Sequence, residues 1–190
     1  MRSLLVGRWG ALLTALFVSA AHAQGEERLK VCAGCHGADG NSTIAGTPSL
    51  AGQPKVFLEN YLVLTRERVR GTKVMQDLLK GVKDPEIVAM ATHFSRLTPK
   101  AGEGAVDKSL FERGKAVAAK SRCGSCHQKD YRGREQMPRL SGQREDFLAE
   151  AMLAYQQNRR PGADTIMAAA LYGIPDADIK ALAHYLARLR

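Results

Sequence analysis

Cys32-Ala33-Gly34-Cys35-His36 and Cys123-Gly124-Ser125-Cys126-His127 decide how this 190-residue chain is read. Cys-x-x-Cys-His is the attachment pattern of a c-type haem. Two thiols add to the vinyl groups of one porphyrin, and the neighbouring imidazole is placed to bind iron on one face of the ring. The chain has four Cys, and the two motifs use all of them. A disulfide framework or a four-cysteine zinc site would leave the histidine after each pair unexplained. The motifs therefore predict two covalently bound haem c groups. Cys32, Cys35, Cys123 and Cys126 supply the thioethers, and His36 and His127 the proximal ligands.

Working outward, the first residues read as an export signal. Arg2 and Arg8 form a positive start, Trp9 to Ala21 is mostly apolar but short for a bilayer span, and Ala21-His22-Ala23 has the small-x-small pattern of a cleavage site. Cleavage is expected after Ala23, with the remaining chain soluble in the periplasm. Taking away Arg2 and Arg8 lowers the +9 of the full chain to +7. In an exported haem protein that balance speaks for steering towards acidic redox partners or an anionic membrane surface, and not for nucleic acid. Ordinary solubility explains it equally well.

The chain repeats itself. Pro48-Ser49-Leu50-Ala51-Gly52-Gln53 matches Pro138-Arg139-Leu140-Ser141-Gly142-Gln143. An amphipathic stretch follows each, with Phe57, Tyr61, Leu62 and Leu64 in one and Phe147, Leu148, Met152 and Leu153 in the other. Met75 and Met167 come next, and the correspondence runs on to Arg96-Leu97 and Arg188-Leu189. One unit was duplicated. Each copy is small for an independent core, and a covalently held porphyrin would supply the missing apolar surface.

The fold class expected is all-α, as two tandem units. Residues 1–23 form the signal peptide, 24–98 the first unit, 99–107 a linker with Pro99, Gly102 and Gly104, and 108–190 the second unit. The haem motifs are expected to end helices running from Glu26 to Cys35 and from Leu110 to Cys126. Asp84 and Asp176 read as N-caps of the last helix in each unit. The final helix, Asp176 to Leu189, places Ile179, Leu182, Ala183, Leu186 and Leu189 on one stripe.

A second axial ligand would close each iron to small molecules and favour electron transfer. Met75 and Met167 occupy equivalent places between two predicted helices, on segments free to cross a haem face. Met90 and Met152 lie on apolar helical faces and read as core. Met137 competes with Met167, but it aligns with Thr47, which has no thioether. His93 and His184 are not equivalent in the repeat and read as packing or surface residues.

The run from Cys32 to Ser42, followed by Pro48 to Gln53 and then Met75, resembles the first domain of the dihaem cytochrome c4 family, and the second half follows the same plan. The resemblance implies two class I cytochrome c domains about a pseudo-twofold axis, with haems approaching across the interface. It also implies His/Met ligation of both irons and one-electron shuttling in a bacterial periplasm. The Pro48 and Pro138 carbonyls would accept the ring N–H of His36 and His127. One departure is that Gly37 follows His36 but Gln128 follows His127. The segment Gln128-Lys129-Asp130-Tyr131-Arg132-Gly133 replaces a Gly-rich turn, which suggests a more polar and basic second haem edge. Leu140 to Pro161 also resembles the dihaem subunit of flavocytochrome c sulfide dehydrogenases.

The leading expectation is a carrier without catalytic residues, moving single electrons in a respiratory chain from a quinol-oxidising complex to a terminal oxidase. The alternative is a dedicated electron-accepting subunit of a sulfide or thiosulfate dehydrogenase. A dihaem peroxidase would need an open iron face, and would turn attention to Met137 and Glu135.

Overall fold

The computed structural model describes residues 27–102, 104–160, 162 and 165–189. The expected signal peptide and its cleavage site at Ala23 lie outside the described residues. The first half holds α1 (27–36), α2 (Lys55–Arg66), α3 (Lys73–Leu78) and α4 (Asp84–Arg96). The second holds α5 (Lys108–Lys120), α6 (Gly124–His127), α7 (Glu145–Gln156), α8 (Thr165–Leu171) and α9 (Asp176–Ala187). Among the described residues there is no strand, only an isolated bridge between Arg134 and Met137. No described helix is long and apolar enough to cross a membrane.

Each half builds its own core. In the first, α2 packs on α4 and α3, burying Leu58, Ile87, Met90 and Phe94. In the second, α9 lies against both α5 and α7, over Leu148, Met152, Ile179 and Leu182. The stripe read from the sequence on α9 is buried as far as Leu186, with Leu189 only partly so, but Ala181, His184, Tyr185 and Ala187 are buried too. A helix held between two others hides more than one face, and small or hydrogen-bonded residues fill the rest.

The expected helix from Leu110 to Cys126 is broken. α5 stops at Lys120, and Arg122 turns left-handed (φ 54°). Arg122 N–H bonds Ala119 O and Cys123 N–H bonds Ala118 O, both at 3.1 Å. This is a Schellman stop, usually made by glycine. The same stop ends α2 at Arg68 and α7 at Asn158. Without a glycine to mark it, an apolar period runs through the break unseen. Cys123 then opens the one-turn helix α6, and His127 ends it. Asp84 and Asp176 are the first helical residues, one position inside the caps expected for them.

Candidate functional site

Each motif histidine is fixed by the proline of its own half. His36 is buried on α1, and its Nδ1–H donates to Pro48 O at 2.8 Å. His127 is buried at the end of α6 and donates to Pro138 O at 2.9 Å. The proline segments are themselves held. Leu50 and Ala51 N–H share Gly40 O, Leu140 and Ser141 N–H share Tyr131 O, and Gly52 and Gly142 N–H reach Phe94 O and Leu186 O on the last helices. In the first half Ser42 Oγ–H adds a bond to Cys35 O at 2.9 Å.

Burial lowers the pKa of both imidazoles, and the proline carbonyls only partly oppose it. The rings are thus neutral, with the proton on Nδ1 and a free lone pair on Nε2, the state an iron ligand needs. His127 Nε2 is buried without a hydrogen-bond partner, a costly arrangement unless something else takes the lone pair. All four motif thiols are free, with Cys35 and Cys126 exposed. This donor set fits a covalent haem c in each half.

The turn after the second motif differs in sequence but follows the same path. Gln128 (φ 70°) stands where Gly37 (φ 86°) stands, and Tyr131 (φ 57°) where Gly40 (φ 73°) stands. With ψ 159°, Gln128 occupies backbone space normally reserved for glycine. Tyr131 points inward, edge-on to Tyr185 with centroids 5.9 Å apart, and burial pushes its phenol up to about 12. Lys129, Asp130 and Arg132 are exposed.

Met75 and Met167 each lie between two longer helices of their half, as expected, and each is third in a short helix of its own, α3 and α8. Thr72 Oγ1 caps α3 by accepting Met75 N–H at 3.3 Å. In each half the methionine and the first motif cysteine pack on the same core cluster, Met75 with Cys32 and Met167 with Cys123. Met137 instead exchanges backbone bonds with Arg134 beside Pro138, on the Nδ1 side of His127. Met90 and Met152 are buried in the cores. His93 is half-buried against Phe94. His184 is buried, facing Glu145 with Nδ1 and accepting Asp107 N–H with Nε2 at 3.1 Å.

The residues that sequence reading matched but gave no task are Gln53 and Gln143. Gln53 Nε2–H donates to Arg139 O and its Oε1 accepts Arg139 N–H, both at 3.0 Å. Gln143 does the same to Ser49 O and N–H, both at 2.8 Å. Each glutamine thus reads the backbone of the opposite half, and all four residues are buried. Their identical places in the repeat were the available signal.

A family model described as Cytochrome c matches residues 111–190. Cytochrome c4 of Pseudomonas aeruginosa is 29% identical over 200 residues, covering 98% of each chain. The thiosulfate dehydrogenase electron acceptor of Thiomonas intermedia is 30% identical over 197 residues, covering 98% of this chain and 90% of that one. The chain belongs to the dihaem cytochrome c4 family. The crystal structure of reduced cytochrome c4 from Pseudomonas stutzeri superposes with a TM-score of 0.80 at 25% identity, over 88% of this chain and 98% of that one. As a cytochrome c4 family member the chain is a dihaem electron-transfer protein, all-α in two tandem domains, with two covalently bound haem c groups as cofactors. Bound there, haem supplies a ferric/ferrous couple that moves one electron at a time.

Proposed function

We propose that this chain is a periplasmic carrier, not an enzyme, with both irons closed by a histidine and a methionine: His36 and Met75 in a domain spanning 24–98, His127 and Met167 in a domain spanning 108–190. Residues 99–107 join the two, and an export signal ending at Ala23 delivers the chain. The thioethers are those of Cys32, Cys35, Cys123 and Cys126. The observation that carries the reading is the pairing in each half: a buried neutral histidine held by Pro48 or Pro138, and a methionine sharing a core cluster with the motif cysteine. Met137 is the weaker candidate, because its backbone runs beside the carbonyl that holds the back of His127. A closed iron leaves no place for peroxide, so Glu135, exposed on the surface, has no catalytic task. The carrier would link a quinol-oxidising complex to a terminal oxidase, docking through basic surface to acidic partners or to an anionic membrane face.

The optical spectrum of the purified protein, oxidised and reduced, with and without carbon monoxide, tests this. Two near-infrared thioether-to-ferric-iron bands and no carbon monoxide binding are expected. A haem lacking the band, or binding the gas, overturns the two-methionine assignment. A second reading, the dedicated acceptor of a thiosulfate or sulfide dehydrogenase, draws on the Thiomonas relative. Copurification with a catalytic partner would select it over a free carrier.

A further inference from the structure

The cross-half glutamines touch more than an interface. The Pro48–Ser49 peptide is one planar, delocalised unit. Its carbonyl oxygen accepts His36 Nδ1–H at 2.8 Å, and its N–H donates to Gln143 Oε1 at 2.8 Å. The Pro138–Arg139 peptide is wired in the same way, with His127 on its oxygen at 2.9 Å and Gln53 Oε1 on its N–H at 3.0 Å. The orientation of each glutamine amide is forced. Its NH2 faces a backbone carbonyl (Ser49 O or Arg139 O), so its oxygen must face the N–H.

We infer that Gln143 and Gln53 are positioning residues that each tune the haem of the opposite half, through a glutamine–peptide–histidine relay. A hydrogen bond to a peptide N–H drives electron density towards the carbonyl oxygen of the same unit, and in a buried chain such bonds strengthen one another. A more negative Pro48 oxygen grips His36 Nδ1–H harder, makes the imidazole a richer donor and favours ferric iron. Gln143 therefore lowers the potential of the first haem, and Gln53 that of the second. Each half sets part of its partner's affinity for the electron. The relay rests on His36 and His127 being the iron ligands.

The test uses the full-length holoprotein with Gln143→Met, Gln53→Met and Tyr155→Phe. Methionine keeps the length of the side chain and removes the cross-half amide bonds, together with the one that Gln143 Oε1 accepts from Arg144 N–H at 3.0 Å. Tyr155→Phe removes another contact between the halves, Arg70 Nη2–H to Tyr155 Oη at 3.3 Å, without touching either relay. Two readouts are taken: the Nδ1–H proton resonances of His36 and His127 in the ferrous protein, and the two midpoint potentials, each assigned to its haem. Gln143→Met should move the His36 signal and raise the first haem's potential, changing its ferric-to-ferrous ratio at fixed potential on the order of twofold. His127 and the second haem should stay. Gln53→Met should give the mirror result, so failure of one variant to fold leaves the other decisive. Tyr155→Phe should move neither. A shift confined to the substituted half, equal shifts in all three variants, or no shift at all overturns the relay. The near-infrared thioether band, read on the same samples, separates this from methionine ligation: its loss counts against Met75 or Met167, while the histidine resonances still decide the relay.

Discussion

At the scale of single residues, the turn behind the second haem motif shows how one path can be followed by two sequences. Gly37 suits its left-handed position, and a Cβ there would run into Asn41 O. Gln128 takes the matching position with a side chain, in backbone space that costs about 1–3 kcal/mol for any residue but glycine. Gln128→Gly should relieve that strain, less about 0.5–1 kcal/mol for the added freedom of the unfolded chain. A raised chemical-denaturation midpoint, with unchanged slope, is the expected result. Tyr131 gives a pH effect of opposite character. Its phenol ionises around pH 10 in an unfolded chain but near 12 when folded, because burial beside Tyr185 disfavours the anion. Between those values the unfolded state releases a proton that the folded state keeps, so stability falls as pH rises through the window. Tyr131→Phe has no proton to lose, and its alkaline stability curve should be flatter there than that of the parent. The motif cysteines and histidines were legible one by one, since covalent chemistry fixes their spacing. The left-handed Gln128 and Tyr131 were not, because neither residue type marks a positive φ.

At the scale of elements, the contact between α5 and α9 is the most extensive in the second half. Gly114 lies against the backbone of α9, where a Cβ would collide with Ala181 O and crowd Tyr185. Gly114→Ala gains helix propensity but forces the helices apart, and overpacking of this kind costs about 1–3 kcal/mol. Lower thermal stability with poorer haem loading of the second motif is expected, while the first motif loads normally. Counting haem per chain and mapping haem peptides would show whether the loss is confined in this way. Helix existence was legible from period and proline placement, as α2, α4, α7 and α9 show. What escaped was the stop at Arg122, where arginine does the work usual for glycine. The short α3 and α8, which carry Met75 and Met167, also escaped, since six or seven residues are too few to show a period.

At the scale of the whole molecule, the duplication was plain in the sequence and the meeting of its copies followed from the family resemblance, but the residues that join them were not marked. Periodicity reports which face a helix buries, but it says nothing of which half a polar side chain will address. Gln53 and Gln143 looked like the ends of a repeated phrase; in the structure each reaches across to the phrase of the other. The segment between the halves is drawn in as well, with Lys100 N–H on Asn41 Oδ1, Gly102 N–H on Ala187 O and Asp107 N–H on His184. The reciprocal contact has a further consequence. A single unit carrying both the glutamine and the open peptide is complementary to itself, as in an isologous dimer. Tandem fusion turns that association from a matter of concentration into one of tethering, equivalent to millimolar partner for a short link. Two haem units can then remain paired at any dilution, while their sequences become free to diverge away from the haem motifs, the cores and the places where they hold hands.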